Sequence, residues 1–273
     1  MSSQAEKAER FRALHDAPET FVIANAWDAG SARILTALGF PALATSSGAC
    51  AGVLGRRDGM VTRDEALAHC RAIVEATGLP VSADLEKGFG DLPETAAETI
   101  RLAAEIGLVG ASIEDATGDS AHPLFEVSHA RDRIAASVEA ARSVLFPFTL
   151  TARAENFLRG NPDLDDTIHR LLAYEAAGAD VLMAPGLPDI DAVRAVCSAL
   201  SRPFNFMAGI KGKSFTVAVL SGAGVKRVSL ATSLYRAAMT GLVNAAKEVA
   251  EHGTFDYLDD TLPTPGLNAF MRG

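Results

Sequence analysis

Asp84 and Glu86 close a short apolar run, Leu79-Pro80-Val81-Ser82-Ala83, and Gly88-Phe89-Gly90 follow at once. Acids two residues apart on a strand face the same way, roughly 6.6 Å from each other. A later apolar run ends in Glu114-Asp115, and the next ends in Arg153, with Glu155 just beyond. If these runs are neighbouring strands about 4.8 Å apart, Asp84, Glu86 and Glu114 converge on one rim. At about 6 Å and an effective dielectric near 20, each like-charge pair costs about 2.8 kcal/mol. A divalent cation is the simplest relief. Oxygen donors with no His or Cys beside them favour Mg²⁺ or Mn²⁺ over zinc. The expected metal ligands are therefore Asp84, Glu86 and Glu114. The alternative is acids that cap helices or meet lysines at a wet rim. Arg153 has the planar fork that grips a carboxylate bidentately. It serves a substrate, an ion pair with Glu155 or Glu114, or both.

These residues need a frame, and the sequence repeats one. Short apolar runs occupy 21–25, 41–46, 80–84, 109–114, 147–153, 180–184, 203–207 and 227–230. Amphipathic stretches lie between them at 63–77, 93–107, 128–144, 164–178, 190–200 and 214–222. Thr62 followed by Glu65 reads as a capping box. Gly39, Gly78, Gly107 and Gly178 stand where helix C-caps belong. Strands buried on both faces and alternating with helices imply a parallel sheet with right-handed crossovers. Eight units in 273 residues match a (β/α)8 TIM barrel. A doubly wound sheet is the rival, but no GxGxxG follows the first strand.

In a barrel the chemistry sits at the C-terminal strand ends. The residues found there are Asn25 and Asp28, Ser46-Ser47-Gly48, Asp84 and Glu86, Glu114 and Asp115, Arg153 and Glu155, and Asn205. Two following connections are long for a barrel, 47–61 and 116–127, and long loops at this face suggest lids. Asp58 on the first is placed to fold over a metal. His122 on the second is a candidate acid or base, with an ordinary surface histidine as the alternative. Cys50 has no flanking His or Lys to activate it and reads as packing.

Composition sets the outer limits. Hydrophobic residues make up 48% and charged residues 22%, as in a soluble globular domain. The net charge of −9 argues against nucleic acid and for a cytoplasmic protein. No stretch approaches the roughly 18 apolar residues of a membrane span, and the N-terminus lacks a secretory apolar region. Three cysteines without metal spacing suggest reduced thiols. No linker divides the chain, so residues 1–273 form one domain. The tail at 254–273 carries Phe255, Tyr257, Leu258, Leu262, Leu267, Phe270 and Met271. It packs under its own barrel or on a neighbouring subunit of a homo-oligomer.

The segments TSSGACAGVLGRRD (45–58), DLEKGFG (84–90), SIED (112–115), TARAE (151–155) and GVKRVSLA (224–231) resemble the isocitrate lyase/phosphoenolpyruvate mutase superfamily. The resemblance spans roughly residues 20–235. It implies a barrel whose last helix is often swapped between subunits of a homodimer or homotetramer. It implies Mg²⁺ bound directly by Asp84, with Glu86, Glu114 and Asp58 helping directly or through water. It implies a 2-oxo acid cradled by Ser46, Ser47 and Gly48 and paired with Arg153. Two departures stand out. Glu86 replaces the family's usual aspartate. The loop after SIED reads TGDSAHPLF and lacks the K-[KR]-C-G-H motif of isocitrate and methylisocitrate lyases.

The chemistry expected is a Mg²⁺-dependent C–C lyase acting on a 2-oxo or 2-hydroxy di- or tricarboxylic acid through an enolate, with oxaloacetate decarboxylation as the concrete case. Asp58, Glu114, Arg153 and His122 are the catalytic candidates. Ser46, Ser47, Gly48, Asp84, Arg153 and Asn205 are the substrate-binding ones. Two alternatives stay open. One is C–P chemistry on phosphonopyruvate or phosphoenolpyruvate, helped by Arg56, Arg57, Lys87 or Arg159. The other is a non-catalytic 2-oxo acid sensor.

Overall fold

The structure, a computed structural model, describes residues 2–271. After helix α1 (Gln4–Asp16), the chain alternates strands and helices. In chain order these are β1 (Phe21–Asn25), α2 (Ala29–Ala37), β2 (Leu43–Ala44), α3 (Ser47–Val53), α4 (Arg63–Ala76), β3 (Val81–Asp84), α5 (Pro93–Glu105), β4 (Gly110–Glu114), α6 (Val127–Arg142), β5 (Thr149–Arg153), α7 (Leu164–Ala176), β6 (Val181–Met183), α8 (Ile190–Ala199), β7 (Phe204–Met207), α9 (Val217–Gly222), β8 (Arg227–Ser229), α10 (Ser233–His252) and α11 (Thr264–Phe270). Each strand pairs in parallel with the next, and β1 pairs with β8 to close the barrel. The (β/α)8 barrel read from the strand pattern is the fold found.

The strands form because small and β-branched residues fill both faces, and the helices form around strong caps. Ser3 with Glu6 and Thr62 with Glu65 make complete capping boxes at α1 and α4. Such caps contribute about 1 kcal/mol each. Gly107 turns the chain after α5 at φ 96°, and a Cβ there would strike Val74 at 2.8 Å. Gly78 differs from expectation: its φ is not positive, because Thr77 leaves α4 in extended geometry. The core lies between the sheet and the helices. Ile100, Leu108, Ile113, Leu150, Leu171 and Tyr174 are fully buried there. Burying one such side chain stabilises by about 1.5–3 kcal/mol. A second cluster, Phe11, Phe21, Ile23 and Val109, seats α1 across the N-terminal floor of the barrel.

Two regions depart from the sequence reading. Strand β2 contributes only Leu43 and Ala44 to the ladder, and the 47–61 connection begins with α3 rather than an open lid. Helix α10 has no buried residue along its 20 positions. Leu242, Val243, Val249, Phe255, Leu258 and Leu262 are exposed on it and on the segment that follows. The tail returns far enough for the Arg33 Nη1 to donate to the Met271 carbonyl at 2.7 Å. Its last two residues, Arg272 and Gly273, lie outside the described residues. Among the described residues no helix is long and apolar enough to cross a membrane.

Candidate active site

The ladder register builds the site. Asp84 stands opposite Ser112, and Glu114 opposite Arg153. Arg153 reaches Asp84 Oδ1 at 3.5 Å through Nη1 and Glu114 Oε2 at 3.2 Å through Nη2, while its Nε donates to Glu155. Arg159, on the turn after β5, donates to Glu114 Oε1 at 3.2 Å and lies 3.3 Å from Glu155 Oε2. Asp84 is fixed from the other side: its Oδ2 accepts the Ser47 amide at 3.2 Å.

Four carboxylates, Asp84, Glu86, Glu114 and Glu155, share this rim with two guanidiniums, Arg153 and Arg159. Formally that leaves two negative charges. The strain of that excess is visible in the titration of the acids. Burial, then the charges of Asp84 and Asp58, push Glu86 up to about 7. Burial also pushes Glu114 up, and Glu155 and Asp84 add to it against the pull of Arg153. Burial alone would lower Arg153, but Glu114, Glu155 and Asp84 together hold its guanidinium well above its ordinary value.

The donor set fits a divalent cation. It is all oxygen, its carboxylates outnumber its guanidiniums, and it opens on a mouth cavity of about 490 Å³ bordered by Ser47, Asp58, Glu86, Glu114, Arg153 and Arg159. Mg²⁺ binds through one or two carboxylates and keeps waters or substrate oxygens. A closed cage is not what the residues form. Among the described residues no three His, Cys, Asp or Glu side chains cluster as metal ligands. Arg153 sits between Asp84 and Glu114; Asp84 lines the inner cavity with Arg153, while Glu86 and Glu114 border the mouth.

The loop carrying these acids is held against backbone preference. Glu86 and Phe89 adopt φ 51° and 62°, a left-handed region that is costly for side-chain-bearing residues. Glu86 still receives a ladder bond, since its carbonyl accepts the Glu114 amide at 2.9 Å. Gly88 has φ 79°, and a Cβ there would meet Ala96 Cα at 3.0 Å. The third such non-glycine residue, Ala231 at φ 47°, lies on the same rim after β8. Arg133 locks the loop from beneath. It is 1% exposed and bonds the carbonyls of Glu114, Lys87 and Gly90 with its guanidinium 4.5 Å from the Phe125 ring.

Several expected residues meet here. Asp84, Glu86, Glu114, Arg153, Ser47 and Asp58 share the mouth. Gly48 is there too: a Cβ on it would lie 3.2 Å from Asp58 Oδ2. Ser46 is the buried N-cap residue of α3, behind the mouth. His122 is corrected. Its side chain is 84% exposed at the tip of a folded loop and 3.4 Å from Asp119. The loop is compact because Thr117 Oγ1 donates to the His122 carbonyl and Lys87 Nζ donates to the Thr117 carbonyl. Asn205 lines the inner cavity together with Asp84 and Arg153. It is fully buried inside the barrel, bonded to Ser229 and Arg227. Asp28 caps α2, and Arg56 pairs with Glu65. Burial, then Glu86, pushes the Cys50 thiol up to about 11.

Sequence reading left Arg159 unplaced and passed over Arg133. Both had a signal. Arg159 follows Glu155 at i,i+4 spacing, and Arg133 falls on the apolar Ala130/Ile134/Ser137/Ala141 face of α6.

A closed parallel barrel with acids, a clamped arginine and a cavity at its C-terminal mouth defines a barrel enzyme. The chain matches the model of the phosphoenolpyruvate phosphomutase family over residues 11–250 and belongs to that family, within the isocitrate lyase/phosphoenolpyruvate mutase superfamily. It is 32% identical over 243 residues to an uncharacterised protein of Mycobacterium tuberculosis, covering 88% of this chain and 89% of that one. It is 32% identical over 181 residues to the 2,3-dimethylmalate lyase of Eubacterium barkeri, covering 64% and 62%. A solved structure of a presumed lyase/mutase from Burkholderia cenocepacia J2315 superposes with a TM-score of 0.97 at 51% identity, over 99% of this chain and 97% of that one. The named relatives are lyases and mutases.

Proposed function

We propose that this chain is a Mg²⁺-dependent lyase that breaks a C–C bond of a 2-oxo or 2-hydroxy di- or tricarboxylic acid. The observation that carries the reading is the Arg153 clamp beside Asp84, where a fixed guanidinium and a carboxylate line one cavity. Dimethylmalate, acted on by a relative, is itself a 2-hydroxy diacid. A bound divalent cation would supply the Lewis acid that polarises the substrate carbonyl or hydroxyl oxygen. Asp84 would hold that cation, and Ser47 fixes the Asp84 carboxylate through its amide. Arg153 pairs with the substrate carboxylate. Glu114 and Glu155 hold its fork in one plane. Arg159 and Lys87 border the mouth and receive a second anionic end.

Oxaloacetate is the concrete candidate. Its C3–C4 bond breaks, the electron pair passes into the enolate of pyruvate, CO₂ leaves, and C3 takes one proton. The 116–127 loop carries no cysteine or lysine for a leaving-group proton, and this reaction needs none there. The test is turnover of oxaloacetate and of 2-hydroxy di- and tricarboxylates by purified protein, with Mg²⁺ and with EDTA. EDTA-sensitive release of a 2-oxo acid supports the proposal, and no turnover above background sinks it. The cations Arg159 and Lys87 also favour a second reading, C–P bond chemistry. Phosphate and pyruvate release from phosphonopyruvate would select it. Tight binding of a 2-oxo acid without turnover of any candidate would select the sensor.

Assembly into a homodimer or homotetramer is part of the same proposal. Its support is the exposed apolar row from Leu242 to Leu262, on a helix without a fully buried residue and the segment that follows it.

A further inference from the structure

Arg227 raises a question that the mouth does not. It projects from the first residue of β8 into the barrel and is 5% exposed. Its Nε donates to Asn205 Oδ1 at 2.8 Å and its Nη2 to Thr151 Oγ1 at 2.9 Å. Its Nη1 lies 3.2 Å from His15 Nε2. His15 Nδ1 is 2.8 Å from the Phe11 carbonyl, which only accepts, so Nδ1 carries the proton and Nε2 is the bare acceptor. All three partners are neutral.

A buried charge is ordinarily paired. The other deeply buried arginines follow that rule or approach it. Arg170 meets Asp115 and Asp166. Arg133 is held by three carbonyls with Asp91, Asp115 and Glu114 acting on it. Among the described residues no carboxylate lies within ion-pair distance of Arg227. Burial brings its guanidinium down to about 9, so it stays charged at neutral pH. The surroundings add to the positive charge. Lys226 is next in the chain and bonds only the carbonyls of Ala17 and Glu19.

Space and donors are present beside this charge. A guanidinium has five N–H bonds, and the three contacts leave two. Arg227 borders an interior cavity of about 50 Å³, with the hydroxyls of Ser82, Ser112, Thr151 and Ser229 on its walls beside Asp84 and Arg153. A water needs about 10–15 Å³ on the same measure, so a halide-sized ion fits.

We propose that the inside of the barrel, at Arg227, is a binding site for a small monovalent anion of chloride size. The ion is the counter-charge that the fold omits. It sits in the cavity whose walls also include Asp84 and Arg153, and the inference does not depend on which bond the enzyme breaks.

The test uses the full chain in two arms. In the first, crystals are grown in bromide and measured at its absorption edge. The expected result is an anomalous peak in contact with the Arg227 guanidinium. Water there, or no peak, overturns the proposal. In the second, thermal unfolding is followed in chloride and in gluconate, too large to enter, at matched ionic strength. The wild-type melting temperature should rise by roughly 2–5 °C per tenfold of chloride above its dissociation constant, with no such rise in gluconate. Arg227→Met should abolish the difference. A bromide peak without chloride-specific stabilisation marks an adventitious ion only and also overturns the proposal. If the variant does not fold, the two wild-type measurements decide.

Discussion

The mouth and the inner floor of this barrel each bury an arginine, and the two are treated in opposite ways. Arg153 is enclosed by three carboxylates, and the acids around it outnumber the cations. Arg227, inside the same barrel, touches only an amide, a hydroxyl and an imidazole. The contrast teaches that burial alone does not set the chemistry of a charge. The mouth is built to want a cation, and its arginine is a fixed tool. At the floor the arginine is the unmatched charge itself.

Removing the tool should have the largest effect. Arg153→Met leaves Glu114 and Glu155 with only the half-exposed Arg159 between them. The expected cost is about 3–5 kcal/mol of stability, the usual penalty for breaking a buried pair, read by urea unfolding. The expected loss of turnover is roughly 10²–10³. A variant as stable as the wild type would show that the mouth does not depend on this clamp for its charge balance.

Asp84→Asn comes next. It keeps the shape and the acceptor for the Ser47 amide but removes the carboxylate. Mg²⁺ affinity should fall at least 10–100-fold by calorimetric titration. Unchanged affinity would move the cation site elsewhere on the rim.

The floor gives a pH test. Burial, then the charge of Arg227, depresses His15 to about 3. Its unfolded value is about 6.5. Above that value neither state binds the proton and stability is whole. As pH falls from about 6.5 toward 3 the unfolded chain takes up a proton that the folded one refuses, so stability declines. The loss from this residue between about pH 7 and pH 5 should be about 2 kcal/mol. His15→Gln should flatten that part of the urea-unfolding profile, and an unchanged slope would remove His15 as its origin.

The smallest effect sharpens the comparison at the rim. Ala231→Gly relieves a left-handed backbone that costs an alanine roughly 1–2 kcal/mol, against about 0.5–1 kcal/mol of added chain entropy. A melting temperature higher by about 1–2 °C is expected. A drop would mean that the Ala231 side chain supports the rim more than its geometry strains it.

The barrel was legible because its strands are short apolar runs bounded by glycines and caps, and that periodicity survives any change of substrate. Asp84, Glu114 and Arg153 were legible because a strand end is also a place in space. The depth of Asn205 was not legible because a strand position gives the face only; it stands fully buried on the inner cavity. His122 was misplaced because loop sequence does not reveal that Thr117 and Lys87 fold its tip outward. Arg227 was part of a quoted motif, yet nothing in its neighbours told that no acid would reach it. The tail at 254–273 reads as apolar, but apolarity does not say whose surface it will meet.

Helix α10 has a mechanical side. It begins at Ser233, two residues after the strained Ala231. Thr232 between them comes within 3.0 Å of where a side chain on Gly48 would be. A 20-residue helix rises about 30 Å, and this one is anchored chiefly at its root. It is therefore a lever whose fulcrum is the rim. Whatever settles against Leu242 or Phe255 applies its torque at Ala231 and Thr232, beside Gly48 and Asp58.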